Sequence, residues 1–255
     1  MELSGRGPVA MPPRIPSGIF MKTIVFLLSA GLVLGQARAA ETDKDAAQTR
    51  AQNLARCTDR DANISIAGCS ALILAGQETD AKLAAILQRR GILYYNKGLT
   101  DLAIADQTAV IALKPQTASA WYDRGEAYLA KGLADQAITD YSQAIAIKPR
   151  YAEAFADRGV AYASQGRADQ AIADETSAIA LAPGFAEAWC DRGLAYKSKG
   201  LMDLAIADYT KAIALQSDYG SAYYNRGLAK QAKGDMAGGA LDIAWAMKND
   251  PASVK

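Results

Sequence analysis

The chain repeats itself every 34 residues, and no other feature limits its fold as strongly. Glycine recurs at Gly91, Gly125, Gly159, Gly193 and Gly227, each preceded by an arginine. A second glycine follows seven residues after each of these, at Gly98, Gly132, Gly166, Gly200 and Gly234. Self-similarity at a fixed period marks an array of one supersecondary unit, stacked so that neighbours bury what no unit can bury alone.

The unit 118–151 shows what is repeated. Trp121, Gly125, Tyr128 and Leu129 fall three and four residues apart and line one side of a first helix. Gly132 stands where that helix must stop, because glycine accepts the left-handed conformation without steric penalty. Asp135 opens a second helix, at the end whose dipole favours negative charge. Ala137, Ile138, Tyr141, Ala144, Ile145 and Ile147 form its apolar stripe, and Pro149 blocks its continuation. The expectation is five helix–turn–helix units over 84–253, bounded as 84–117, 118–151, 152–185, 186–219 and 220–253, with 254–255 as a tail.

These residues resemble the tetratricopeptide repeat. The resemblance is carried by the aromatic at Trp121, Phe155, Trp189 and Tyr223, the glycine four residues on, and the tyrosine at Tyr94, Tyr128, Tyr162 and Tyr196. The small residues Ala103, Ala137, Ala171 and Ala205, with Ala144, Ala178 and Ala212, and the prolines at Pro115, Pro149, Pro183 and Pro251 complete it. It implies an all-α, right-handed α-solenoid that binds protein rather than catalysing a reaction. Departures are local. Leu87 replaces the first aromatic, Ser217 replaces a proline and is expected to loosen that joint, and the last unit has Lys230 for tyrosine and Gly239 for alanine. Glycine inside a helix is expected to weaken it by roughly 0.5–1 kcal/mol.

Ahead of the repeats, residues 40–83 read as a helical hairpin and degenerate capping unit. One helix is expected over about 46–57, and another over about 64–74, entered through Asp59, Asp61 and Asn63 and ended by Gly76. Setting ISIAGCSALIL beside LAIADQTAVIAL gives an offset of 38 residues, four more than the repeat. Cys57 and Cys69 would then close the hairpin as a disulfide; two ordinary buried thiols are the other reading. Cys190 is left single.

Residues 1–39 form an N-terminal extension and signal. From Met21 the chain reads Lys22, an apolar run from Ile24 to Gly35, and Ala37-Arg38-Ala39, the pattern of a secretory signal cleaved after Ala39. The apolar run is shorter than the roughly 20 residues of a bilayer-spanning helix, although an uncleaved anchor is the rival reading. Met21 is the expected start. Both readings place the remainder outside the cytoplasm, periplasmic or secreted, with no membrane span in the mature chain.

Charge and composition exclude several functions. The chain has 28 basic and 27 acidic residues; residues 1–39 hold four of the basic and one of the acidic, leaving 24 and 26. That balance offers nothing to nucleic acid. There is no histidine, so the commonest general base and metal ligand is absent. No phosphate-binding loop, dinucleotide fingerprint or metal spacing occurs. No enzyme and no cofactor is expected. Glu175 stands where Tyr141 and Tyr209 stand, and burial there would raise its pKa.

Two charged rows recur: Arg90, Arg124, Arg158, Arg192 and Arg226 before the glycines, and Asp106, Asp140, Asp174, Asp208 and Asp242 in the second helices. A structural ladder of forked ion pairs is expected in preference to a binding face. The groove that the resemblance implies lies along the first helices. It would hold Tyr95, Tyr122, Glu126, Leu129, Glu153, Val160, Glu187, Leu194, Lys197, Tyr224 and Leu228. With one lysine and no asparagine in that set, it lacks the clamp by which some family members hold a C-terminal carboxylate. An extended or helical peptide held by apolar and tyrosine contacts fits better. The expected function is a protein–protein scaffold or adaptor of the cell envelope. The alternative is a structural or glycan-associated envelope factor working through its outer surface. Trp245, with Met247 beside it, is expected either to mediate self-association at the C-terminal edge or to fold back over the last unit.

Overall fold

The structure, a computed structural model, describes residues 43–254; the signal expected over 21–39 lies outside them. The chain divides into two units, 1–55 and 56–255. In the first, residues 43–55 are helical and begin α1, which spans 43–57. The second contains α2 (Ala62–Ala75), α3 (Asp80–Asn96), α4 (Thr100–Leu113), α5 (Ala118–Ala130), α6 (Ala134–Ile147) and α7 (Ala152–Ser164). It continues with α8 (Ala168–Leu181), α9 (Ala186–Ser198), α10 (Met202–Leu215), α11 (Gly220–Ala232) and α12 (Met236–Asn249), then a 3₁₀ turn at Pro251–Ser253. No strand occurs among the described residues. The fold is an all-α solenoid.

Helix boundaries follow the repeated punctuation. Gly98, Gly132, Gly166, Gly200 and Gly234 all have positive φ, between 72° and 93°. In the second of these turns, Gly132 donates to the Leu129 carbonyl and Leu133 to that of Tyr128, satisfying carbonyls that the helix leaves open. Asp61 caps α2 by accepting from the Asn63 and Ile64 amides, and Gly76 ends it at φ 64°. Where Ser217 replaces proline, α10 still stops at Leu215, the register at which α6 stops before Pro149. Proline is therefore not required for that end.

Each first helix (α3, α5, α7, α9, α11) packs on its own second helix, and each second helix packs on the first helix of the next unit. Successive first helices also touch one another, whereas the second helices have no comparable mutual contact among the described residues. Elements that approach on one side and diverge on the other make a stack that curves toward the side of approach. The first helices thus line the inner side of this unit.

Close approach within a unit depends on the glycines before which the arginines stand. A Cβ at Gly125 would lie 2.7 Å from the Tyr141 ring, at Gly193 2.7 Å from Tyr209, at Gly159 2.6 Å from Glu175, and at Gly91 2.9 Å from Gln107. One residue of every second helix therefore passes beneath the glycine of its partner helix. Ala120, Ala154, Ala188 and Ala222 are likewise fully buried where units abut.

The arginine row is the ladder the sequence suggests, with a third member. Arg124 Nε and Nη2 donate to both oxygens of Asp140 at 2.7 and 2.9 Å, and Arg90, Arg158, Arg192 and Arg226 do the same to Asp106, Asp174, Asp208 and Asp242. The remaining Nη1 reaches back to a hydroxyl of the preceding second helix: Ser70, Thr108, Ser142, Thr176 or Thr210, at 2.9–3.2 Å. Each guanidinium ties its own unit to the one before. Ser70 lies 38 residues before Thr108, so α2 occupies the place of a second helix, on the offset that its sequence implies. In the last unit Lys230, in the tyrosine register, adds a second cation to Asp242 at 2.8 Å.

At the N-terminal end of this unit a disulfide joins Cys57 to Cys69, with the Cα atoms 4.5 Å apart. Gly68 permits the approach, since a Cβ there would lie 2.4 Å from the Cys57 nitrogen. Closing this loop contributes on the order of 2–4 kcal/mol by restricting the unfolded chain. Cys190 is free and buried.

Gly239 has a packing reason that helix propensity does not show. A Cβ there would lie 2.6 Å from the Gly227 carbonyl oxygen and 2.5 Å from Gln231 Cγ. Gly239→Ala is therefore expected to lower stability by about 1–3 kcal/mol, where propensity alone predicts a gain of about 0.5–1 kcal/mol. Urea unfolding decides the sign. In the ladder, Asp140→Ala leaves a half-buried guanidinium without its carboxylate and is expected to cost about 2–4 kcal/mol. Lys131→Ala, which breaks the exposed pair with Asp101, is expected to change stability by less than about 1 kcal/mol. Similar losses in both variants would remove the ladder from its structural role.

Candidate peptide-binding face

The inner face is built from one register of the first helices and from the residues that pass beneath the glycines. Tyr95, Tyr122, Glu126, Leu129, Val160, Lys197, Tyr224 and Leu228 are half-buried, while Glu153, Glu187 and Leu194 are exposed. These are the sequence-derived groove positions, and all lie on α3, α5, α7, α9 or α11.

The structure adds a row that the sequence analysis passed over. Asp123, Asp157, Asp191 and Asn225 immediately precede the ladder arginines, but point to the other side. Asp123 accepts from Gln88 Nε2 at 3.3 Å and from Gln107 Nε2 at 3.2 Å. Asp157 accepts from the Tyr122 hydroxyl at 2.5 Å. Asn225 accepts from Lys197 Nζ at 3.0 Å. Except for the Gln107 bond, which comes from the second helix α4, these bonds cross from one first helix to the next, and all of them join units. The 34-residue recurrence of Asp-Arg-Gly was the signal for this row.

Beneath it lie Gln107, Tyr141, Glu175 and Tyr209, each no more than 1% exposed. Gln107 Oε1, both Glu175 carboxylate oxygens and the hydroxyls of Tyr141 and Tyr209 have no hydrogen-bond partner. Buried polar atoms are normally paired, and a whole register of unpaired ones is unusual for a core. In the last unit Ile243 takes that place and the row ends.

This arrangement disfavours ionised carboxylates. Burial pushes Glu126 up to about 7, helped by Asp157 and Asp123. It pushes Asp123 and Asp191 up to about 6 and raises Asp157. Glu175 is pushed up to about 10, first by burial and then by Asp191, Asp157 and Asp174, against the lowering influence of Arg192. Burial lowers Lys197, the groove's one lysine. At neutral pH Glu175 is therefore a protonated acid.

Between α3, α5, α6 and α7 lies a hollow of about 220 Å3, lined by Tyr95, Glu126, Leu129, Ala130, Tyr141 and Asp157. A wider hollow of about 740 Å3 sits at the turn edge beside α9, among Arg167, Asp169, Leu194, Ser198 and Lys199. No group of three metal-binding side chains occurs among the described residues, and none of their helices is long and apolar enough to cross a membrane. Trp245 stacks on Tyr223 at 3.8 Å and is half-buried, so it folds back within its own unit.

Stacked hairpins with a lined inner face define a helical-repeat scaffold. Models of the TPR repeat and the tetratricopeptide repeat match residues 130–166 and 186–219. The crystal structure of MamA is 28% identical, with a TM-score of 0.58, over 64% of this chain and 96% of that one. YrrB, described as a TPR protein with an unusual peptide-binding site, is 18% identical with a TM-score of 0.56, over 68% of this chain and 93% of that one. A tetratricopeptide repeat protein from Parabacteroides merdae ATCC 43184 is 17% identical with a TM-score of 0.69, over 79% and 80%. Among proteins of curated function none matches. The chain thus carries tetratricopeptide repeats at these residues and shares the fold of tetratricopeptide repeat proteins.

The protonated Glu175 gives the fold a pH signature. Unfolded, the group loses its proton near its ordinary 4.5; folded, near about 10. Between these values the folded state holds one proton more, so stability falls as pH rises, by about 1.4 kcal/mol per pH unit. Glu175→Gln removes this slope. Its stability advantage over the parent, measured in urea at pH 5.5, 7.0 and 8.5, is expected to grow at each step. A constant difference would place the carboxylate in a solvated setting.

Proposed function

We propose that this protein is a scaffold of the cell envelope that holds a peptide segment of a protein partner along the inner face of its first helices. The observation that carries the reading is the unpartnered inner register: tyrosines, aliphatic side chains and buried polar atoms line the side toward which the stack curves, with a hollow among them. Extended or helical segments are recognised by such faces through a few anchor pockets. Placement outside the cytoplasm is supported by the sequence pattern over 21–39 and by the Cys57–Cys69 bond, which persists in oxidising compartments. Self-association at the C-terminal edge would rest on Leu241 and Met247, 73% and 55% exposed, because Trp245 is already stacked within its unit.

Tyr122 links α5 to α7 through Asp157, so its removal would disturb the stack as well as the face. Tyr95→Ala/Leu194→Ala is the cleaner variant, with neither side chain donating to another unit. In a crosslink and pull-down from the native envelope fraction, the variant is expected to lose the partner that the parent retains, with its melting temperature within a few degrees of the parent's. A partner kept by the variant would move the function to the outer surface.

A further inference from the structure

The hollow between α3, α5, α6 and α7 has a chemistry of its own. Its walls hold two carboxyl groups, Glu126 and Asp157, and no basic side chain. Both are raised above their ordinary range, first by burial, so each lacks a compensating cation. Tyr141 is 0% exposed, lines the hollow and has a hydroxyl without a partner. The opposite walls are the Tyr95 ring and the aliphatic Leu129 and Ala130. At about 220 Å3 the space suits a single side chain better than a drug-sized molecule.

We propose that this hollow receives one lysine or arginine side chain of the bound peptide. Resting on the peptide-groove reading above, this names the chemical class of its ligand. The carboxylates of Glu126 and Asp157 face the cationic head, the Tyr141 oxygen accepts one of its N–H groups, and tyrosine faces attract the same charge. Leu129 and Ala130 take the alkyl stem, as apolar surfaces do for long basic side chains. A divalent metal is a poorer occupant, since it requires six or more oxygen ligands and gains nothing from the aliphatic wall. A peptide carboxylate would meet two acids and no cation. One unit further along, the equivalent registers hold Glu175 and Asp191, and then Lys197 and Asn225. The acidic stretch is thus confined to the middle of the face and gives the peptide a direction.

The test is selection of random linear dodecapeptides displayed on phage against the full-length protein, in parallel with the E126Q/D157N variant. Peptides selected by the parent are expected to share a lysine or arginine at one aligned position. Replacing that residue by norleucine in the synthetic peptide should weaken binding at least tenfold, and the parent peptide should lose as much on the variant. Selected peptides without a shared basic residue, or a norleucine peptide that binds equally well, would overturn the proposal while leaving the groove reading in place. Failure to select any peptide would overturn both. If the variant does not fold, as judged by circular dichroism, the norleucine comparison on the parent decides alone.

Discussion

The stack depends on one guanidinium per unit. Arg124 uses two of its nitrogens to hold Asp140 within its own hairpin and a third to reach Thr108 of the hairpin before. A lysine could supply the charge, but not a planar fork with a spare donor at a fixed angle. Because the carboxylate is buried, the fork satisfies an acid that would otherwise be strongly unfavourable; because the hydroxyl belongs to a neighbour, the same fork fixes the register between units. Buried ion pairs often add little net stability. Here the more important consequence is that a one-residue slip would leave five arginines and five aspartates unpaired together.

That register in turn aligns the glycines over the residues beneath them. With no Cβ at Gly125, Gly159 or Gly193, the first helix settles onto Tyr141, Glu175 or Tyr209, and Tyr141 also lines the inner hollow. Fold and candidate site are therefore made by the same contact. The side chain that fills the hairpin also delivers a buried hydroxyl or carboxyl to the face where the first helices converge. In the last unit Ile243 fills the space without delivering a polar atom, and Gly239 brings the two backbones together.

Much of this was legible in the sequence because repetition multiplies weak signals. A single glycine is compatible with many structures, whereas five at one spacing with positive-φ glycines seven residues on admit little besides a stack of hairpins. The ladder's ion pairs could be read for the same reason. The hydroxyl row of Thr108, Ser142, Thr176 and Thr210 is equally periodic, with Ser70 at the 38-residue offset, but serine and threonine on a helix ordinarily face water or their own backbone, and nothing local marks them as acceptors from another unit. The Asp123–Asp157–Asp191 row escaped because each aspartate sits beside an arginine, and adjacency in sequence suggests pairing. On a helix, neighbouring residues point about 100° apart, and the arginine is committed to a different acid sixteen residues away. At Gly239 propensity speaks only for an isolated helix, whereas the atoms that a Cβ would meet belong to another helix.

The positions at which the repeat breaks its own rule carry the functional argument. The ladder, the turns and the buried alanines are nearly identical from unit to unit, as a stack requires. The register beneath the glycines instead runs Gln107, Tyr141, Glu175, Tyr209, Ile243, with four of the five leaving a polar atom unpaired. A stack selected only for stability would place an aliphatic residue there, as the last unit does, since each orphaned group costs about 1–3 kcal/mol. Departures from local consistency that bring no evident packing gain are where function is expected. These departures face the same way and border the same acidic row. Their varied chemistry is what a face needs if it is to read a sequence rather than merely adhere to one.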